Sequence, residues 1–329
     1  MMELDAIDKK LVNLLQEDFP LTGEPFADLA SSLCLSETEV IERVLRLRNG
    51  RIIRIIGPVF NSRTIGYQST LVAMRVSQER IEQAARIINR HPGVGHNYQR
   101  DHYYNLWFTL AIRGDMDLAK SLQGFKEQIH PEAIIELPAV RLFKIKLFFD
   151  VEGNGNHDEP DDPRGMERAH HVVPLKPLER AVINEAQQQL PIVPRPFDPM
   201  AKNAGMDTDE FLSNCRSLMD RGIMRRFGAS IEHQNAGFVS NAMVCWAVPQ
   251  PSVEAAGRKM ASFKEVTHCY ERKTSEAWPR YNIFTMIHGK KTSENADTVA
   301  RMSRETGIDE YELLTTVREF KKERVKYLV

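Results

Sequence analysis

The chain has 329 residues, 42% hydrophobic and 27% charged, with 44 Lys and Arg against 45 Asp and Glu for a formal net charge of −1. This is the composition of a soluble globular chain that can hold two ordinary domains or four small ones; its charge argues against a general nucleic-acid binder, which needs a surplus of cations on one face. No run approaches the ~18 apolar residues of a membrane span and the amino terminus has no apolar signal core, so a cytoplasmic protein is expected.

Leu4, Ile7, Leu11, Leu14 and Leu15 fall at helical spacing. A second short helix fits residues 25–32. Ser36 then caps a third helix, with Glu39 three residues on to complete a capping box, an apolar stripe of Val40, Val44 and Leu47, and Asn49-Gly50 as its stop. Three short helices in this order suggest a helix-turn-helix, and residues 51–59, RIIRIIGPV, read as its wing strand. The pattern then changes. Residues 67–76 read as a strand, 78–89 as a helix with Ile81, Ala84, Ala85 and Ile88 on one side, 95–100 and 104–112 as a strand pair, 116–129 as a helix, and 133–149 as a long last strand. The order βαββαβ is that of a ferredoxin-like unit.

The whole scheme occurs twice. Pro25-Phe26 recurs as Pro196-Phe197 and Gly66-Tyr67-Gln68-Ser69 as Gly237-Phe238-Val239-Ser240, both 171 residues on. His96-Asn97-Tyr98-Gln99-Arg100 recurs as His268-Cys269-Tyr270-Glu271-Arg272 at an offset of 172, and Val140-Arg141 as Val317-Arg318 at 177. Order is kept while small insertions shift the offset, which marks a tandem repeat. Residues 151–171, rich in Gly, Asp, Pro and charge, read as a flexible linker. The expected organisation is α+β: a helix-turn-helix domain at 1–60, a ferredoxin-like domain at 61–150, the linker, and the same pair at 172–231 and 232–329.

Four cysteines, Cys34, Cys215, Cys245 and Cys269, form no CxxC pair and no cluster with zinc spacing, which reads as free thiols in a reducing compartment. There is no GxGxxG and no P-loop.

The opening LDAIDKKLVNLLQED…LASSLCLSETEVIERVLRLRNGRIIR resembles the Lrp/AsnC family of regulators, which join a helix-turn-helix to a βαββαβ effector domain and dimerise through the effector sheets. The effector motifs point to a different branch of that fold. HNYQRDH at 96–102 with NLWFT at 105–109 is similar to one subunit type of siroheme decarboxylase. HCYER at 268–272, WPRYNIFTMIHG at 278–289 and the terminal REFKKERVKYL at 318–328 are similar to the other. The resemblance implies an intramolecular pseudo-heterodimer, with further assembly into homodimers or larger forms left open. It implies removal of CO2 from the C12 and C18 acetates of siroheme, in fused forms that occur on routes to heme d1; a related pair serves a route to protoheme. It implies a tetrapyrrole substrate whose iron is the substrate's own, and no resident cofactor.

A helix-turn-helix by itself would suggest a DNA-binding regulator answering to heme or an amino acid. The would-be recognition helices carry Glu37, Glu39 and Glu42 in one copy and Asp209 and Glu210 in the other, at the end where base contacts form, so no specific nucleic-acid partner is expected.

A flat macrocycle with eight carboxylates needs cations at the rim of its pocket and aromatic walls, and arginine meets a carboxylate bidentately. The candidates are Arg51, Arg54 and Arg100 in copy one and Arg225, Arg226, Arg272 and Arg280 in copy two, with Tyr98, Trp107, Tyr270 and Trp278 as walls. Loss of CO2 leaves an electron pair on the methylene carbon, which must collect a proton to become methyl; imidazole is a natural donor. A strand histidine is ordinarily a surface or hydrogen-bonded core residue, and the repeated HxYxR pattern is what singles out His96 and His268. His102, which the repeat does not pair with a histidine, is a third candidate whose sharing of a site with His96 requires the intervening turn to fold back. Arg54 and Arg225 have the plain alternative of wing-strand surface charges, and Trp107 that of core packing. His91 and His288 read as structural.

Overall fold

A computed structural model describes residues 3–17, 19–145, 151, 172–232, 240–289 and 292–327. Most of the expected linker lies outside these; of 151–171 only Val151 is described, its N–H donating to Asn13 Oδ1 at 3.1 Å.

Copy one runs α1 (Ala6–Glu17), α2 (Pro25–Leu33), α3 (Glu37–Asn49), β1 (Ile53–Phe60), β2 (Tyr67–Arg75), α4 (Ile81–Arg90), β3 (Val94–Arg100), β4 (Leu106–Arg113), α5 (Leu118–Ile129) and β5 (Ala133–Ile145). Copy two repeats it as α6 (Pro177–Ala186), α7 (Phe197–Asn203), α8 (Thr208–Asp220), β6 (Met224–Ile231), β7 (Ser240–Trp246), α9 (Val253–Ala261), β8 (Val266–Arg272), β9 (Ile283–Gly289), α10 (Thr292–Thr306) and β10 (Tyr311–Lys322). Ser36 caps α3 as expected, its Oγ accepting from Glu39 N at 3.2 Å. The return half of the capping box is replaced, because the Glu39 carboxylate takes Arg43 at 3.0 Å instead.

The helical domains of the two copies do not have separate cores. Leu11, Leu15, Phe19 and Phe26 of copy one and Val182, Phe197, Phe211 and Phe227 of copy two belong to one buried cluster. Phe19 is the junction: its ring lies 5.6 Å from Phe26, 6.3 Å from Phe197 and 5.8 Å from Phe227. Within copy one, fully buried Asp8 on α1 accepts from Arg43 at 2.9 Å and Arg46 at 2.6 Å, both on α3, so the buried charge is neutralised where it sits. Glu179 and Arg221 pair in the matching place in copy two.

The wing strands pair with each other rather than within their own copies. β1 and β6 run antiparallel with Gly57 opposite Gly228. A Cβ on Gly228 would stand 2.9 Å from Leu15 O, so only glycine lets this wing lie against the end of α1 from the other copy.

The effector strands close an eight-stranded barrel in the order β10-β3-β4-β2-β5-β8-β9-β7. Within each copy the strands follow the ferredoxin-like order, but the last strand is shared. β5 pairs with β2 along Ala133 to Pro138 and then with β8 of the other copy along Ala139 to Ile145. β10 pairs with β7 along Tyr311 to Thr315 and with β3 along Thr316 to Lys322. Helices α4 and α5 cover the outside of copy one over Val72, Met74, Phe108 and Leu110; α9 and α10 cover copy two over Val244, Trp246 and Ile287. The alternate residues turn inward, where Leu71, Ala73, Trp107, Leu137, Met243, Cys245, Phe284 and Leu314 form a separate cluster.

Removing a buried phenylalanine ring costs ~3–5 kcal/mol. Because Phe19 serves both copies, Phe19→Ala should lower stability by that order in one cooperative unfolding transition. Separate transitions for the two copies in a denaturant titration would show the core to be divided.

Candidate active site

Strand periodicity puts His96, Tyr98 and Arg100 on one face of β3 and His268, Tyr270 and Arg272 on one face of β8. The residues between turn the other way: Asn97 Nδ2 donates to Asn89 Oδ1 on α4 at 2.9 Å, and Cys269 Sγ to Gly257 O on α9 at 3.6 Å. The inward residues form two matching ladders. The rings of His96 and Tyr98 stack at 6.2 Å and 20°, and those of His268 and Tyr270 at 6.4 Å and 17°. The guanidinium of Arg100 lies 5.3 Å from the Tyr98 ring centre, and that of Arg272 lies 4.9 Å from Tyr270.

The arginines form the floor. Arg100 Nη1 donates to Leu314 O at 3.0 Å and Thr316 Oγ1 at 3.1 Å, and Arg272 Nη1 to Leu137 O at 2.7 Å. Each thus holds a strand of the opposite copy. The Nε of each is buried without a hydrogen-bond partner. Burial brings both down to about 10, which leaves them cationic at neutral pH.

Below the arginines the barrel is plugged. His102 Nε2 meets Glu312 at 2.8 Å, and its ring lies 5.6 Å from Trp278, 6.0 Å from Tyr104 and 6.1 Å from Trp107. Trp107 donates to Tyr104 O at 2.6 Å, and Tyr281 to Glu312 Oε1 at 3.0 Å. The structure therefore does not bring His102 to His96: the turn after β3 carries it away from the His96 end of the strand. Trp107 and Trp278 fill the plug with it rather than walling the histidine end. Arg280 also lies away from the ladders, exposed and paired with Glu310. An eight-stranded barrel has room inside for side chains or one small ligand; below the arginines side chains take it, which leaves the end of the barrel that carries His96 and His268.

That end faces the wings. Burial first, then the charges of His268, Arg54 and Lys322, depress His96 to about 3; burial and Arg272 hold His268 at about 4. His268 thus acts on His96 although β3 and β8 stand four places apart around the barrel. Arg54 on β1 acts on His96 and Tyr98, and Arg225 on β6 acts on Tyr270 and Tyr327. Arg226 donates to Gln16 O at the end of α1 and so braces the wing. Arg51 is exposed, in left-handed backbone (φ 56°) at the turn into the wing.

Sequence reasoning passed over Arg63, Glu319, Lys322, Arg324 and Tyr327. Arg63 acts on Tyr270 and Arg272. Register sets Glu319 opposite Tyr98 and Lys322 opposite His96. Arg324 donates to Pro58 O at 2.9 Å, and the Gln187 side-chain amide donates to Tyr327 O and accepts from Tyr327 N, tying this segment across the wing. One signal was available in the sequence: at the repeat offset of 177, Leu142 becomes Glu319 and Ile145 becomes Lys322.

Family models match this architecture segment by segment. A siroheme decarboxylase NirDL-like helix-turn-helix domain matches residues 8–54 and 179–225, and an AsnC-like ligand-binding domain matches 64–144 and 235–321. The siroheme decarboxylase of Hydrogenobacter thermophilus is 38% identical over 97% of this chain and 94% of its own length. The chain belongs to the siroheme decarboxylase family. The family member NirDL, in a crystal structure with an iron-uroporphyrin III analogue, superposes with a TM-score of 0.74 at 34% identity, covering 98% of this chain and 95% of that one. A siroheme decarboxylase alpha subunit from Desulfovibrio desulfuricans is 38% identical across 47% of this chain and 88% of its own length. In this chain two copies, each similar in length to such a subunit, form one barrel.

Both histidines titrate lower folded than the ordinary unfolded value of ~6.5. Below that value the unfolded chain binds protons that the folded chain refuses, so stability is complete above about 6.5 and is lost as pH falls towards 4. The melting temperature should drop across that window, and His96→Asn with His268→Asn should flatten the drop. An equally steep drop in the double variant would assign the acid sensitivity elsewhere.

Proposed function

We propose that the protein removes CO2 from the C12 and C18 acetates of siroheme to give 12,18-didecarboxysiroheme, on the route to heme d1 that its fused form implies. The observation that carries this is the pairing of two His-Tyr-Arg ladders at one open barrel end roofed by Arg54 and Arg225, in a chain whose family members bear the same name. The iron belongs to the substrate, and the chemistry proposed draws only on side chains.

The cations Arg54, Arg225, Arg63 and Lys322 provide the field that receives a polycarboxylate. A guanidinium and a carboxylate ~4 Å apart attract by about 4 kcal/mol at an effective dielectric of about 20; a few such contacts hold the macrocycle. Tyr98 and Tyr270 present ring edges and hydroxyls to it. The bond from methylene to carboxylate then breaks, its electron pair is delocalised into the macrocycle, and the methylene carbon takes a proton to become methyl. Each CO2 released consumes one proton.

The imidazoles are neutral in the free protein, so the substrate has to charge them. A carboxylate close by lifts a histidine by ~1–3 pH units. Acetates beside His96 therefore raise it from the low value that burial sets. The substrate recruits the proton it later consumes, and a site without substrate holds no cationic imidazole to repel its own arginines. The helix-turn-helix domains serve as roof and brace, since the first turns of α3 and α8 carry Glu37, Glu39, Asp209 and Glu210, which oppose phosphate contact.

Anaerobic incubation with siroheme should release CO2 and lower the product mass by two carboxyl losses; release of none would refute the proposal. Calorimetry in buffers of different ionisation enthalpy should show proton uptake on binding at pH 7.5, reduced in His96→Gln. For one shared chamber, His96→Ala should slow CO2 release by ~100-fold or more, with His268→Ala chiefly weakening binding. Two variants stalling at different singly decarboxylated products would show two independent pockets.

A further inference from the structure

The two ladders match, but the strands facing them do not. On the copy-one side, β10 places Glu319 opposite Tyr98 and Lys322 opposite His96. On the copy-two side, β5 places Leu142 opposite Tyr270 and Ile145 opposite His268. A charged pair in one half thus stands where the other half has two aliphatic side chains. Register sets Tyr98 and Glu319 side by side, each acting on the other's titration, while Glu319 Oε2 is buried with no hydrogen-bond partner. Glu319 also belongs to the lining of a surface cleft of about 340 Å³, together with Asn89, Phe320, Lys321, Lys322 and Glu323.

A buried decarboxylation site faces a supply problem, because every CO2 that leaves must be matched by a proton that enters. His96 cannot restock from water once a macrocycle covers the open end. Glu319 stands between the cleft it helps to line and Tyr98 opposite it, and the copy-two half has Leu142 in its place.

We propose that Glu319 is the proton relay of the copy-one half-site, taking a proton from water at the cleft and passing it through the Tyr98 hydroxyl into the chamber that His96 faces. The inference rests on the decarboxylase reading. In each cycle the Glu319 carboxyl gives its proton to Tyr98 as Tyr98 gives its own inward, and the carboxylate is reprotonated from the cleft, so one solvent proton replaces the carboxyl group lost. The copy-two half then binds and orients substrate without feeding it protons. Four groups face Glu319: Lys322 on its own strand, Arg54 on β1, Tyr98 on β3 and Glu232 just after β6. Burial and Glu232 favour the protonated carboxyl, and Lys322, Arg54 and Tyr98 oppose it. The net direction is upward, towards a carboxyl that carries its proton at higher pH than an ordinary glutamate.

The test is Glu319→Gln in the full chain, which keeps the shape and removes the exchangeable acid. With siroheme under anaerobic conditions, kcat should fall at least ~10-fold, with KM and the spectroscopic Kd within about twofold of the parent. The alkaline limb of the kcat profile should shift, the solvent isotope effect should rise, and Glu319→Asp should restore part of the rate. An unchanged kcat and pH profile in Glu319→Gln would overturn the relay, as would a loss confined to KM and Kd, which would make Glu319 a binding residue. Should Glu319→Gln fail to fold, Tyr98→Phe interrupts the same path, and an unaltered pH profile and isotope effect there would overturn it equally. An inactive parent enzyme would instead refute the decarboxylase reading, so the two failures are distinguishable.

Discussion

Each long terminal strand gives its first half to its own copy and its second half to the other, and the rest of the molecule follows from that exchange. Within one copy the strand order leaves β3, or β8, at an edge with unpaired backbone groups. Such an edge costs solubility and register. The second half of β10 covers β3 and that of β5 covers β8, so both edges vanish and the sheets close. The same exchange sets two histidines from distant parts of the sequence at one opening and lets Arg100 and Arg272 each hold a strand of the opposite copy. Two independently folded halves would have neither the chamber nor its floor.

Burial and nearby cations hold both imidazoles well below their ordinary range, while Glu232 pairs with Arg54 at 3.8 Å and with Lys322 at 2.8 Å. On the proposed reading a polycarboxylate makes those imidazoles more basic, so that binding and acid activation are one electrostatic event, in line with the principle that useful interactions are those that strengthen as the reaction proceeds. The aromatic plug around His102 and Glu312 fills the barrel below the arginines.

The helix-turn-helix domains show how a fold is reused. Their cores are fused through Phe19, their wings pair with one another, and the end of the chain ties across both through Arg324 and Tyr327. Helices locked together in this way form a rigid roof. Arg54 and Arg225 sit on the paired wings and act on Tyr98 and Tyr270 of the barrel.

The tandem repeat, the alternation of helix-turn-helix and βαββαβ units, and the HxYxR pattern are legible in the residues alone, because hydrophobic period, capping and repeat offset are local properties. Arg54 and Arg225 stand out for the same reason, as repeated cations on a wing. That His102, Trp107, Trp278 and Arg280 lie away from the histidine end emerges from the folded chain, since six residues of sequence do not say which way a turn leaves a strand. Only strand register across the two copies placed Glu319 and Lys322 beside Tyr98 and His96, more than two hundred residues away. Cross-strand neighbours are chosen by backbone hydrogen bonds between distant segments, and no local pattern encodes that pairing.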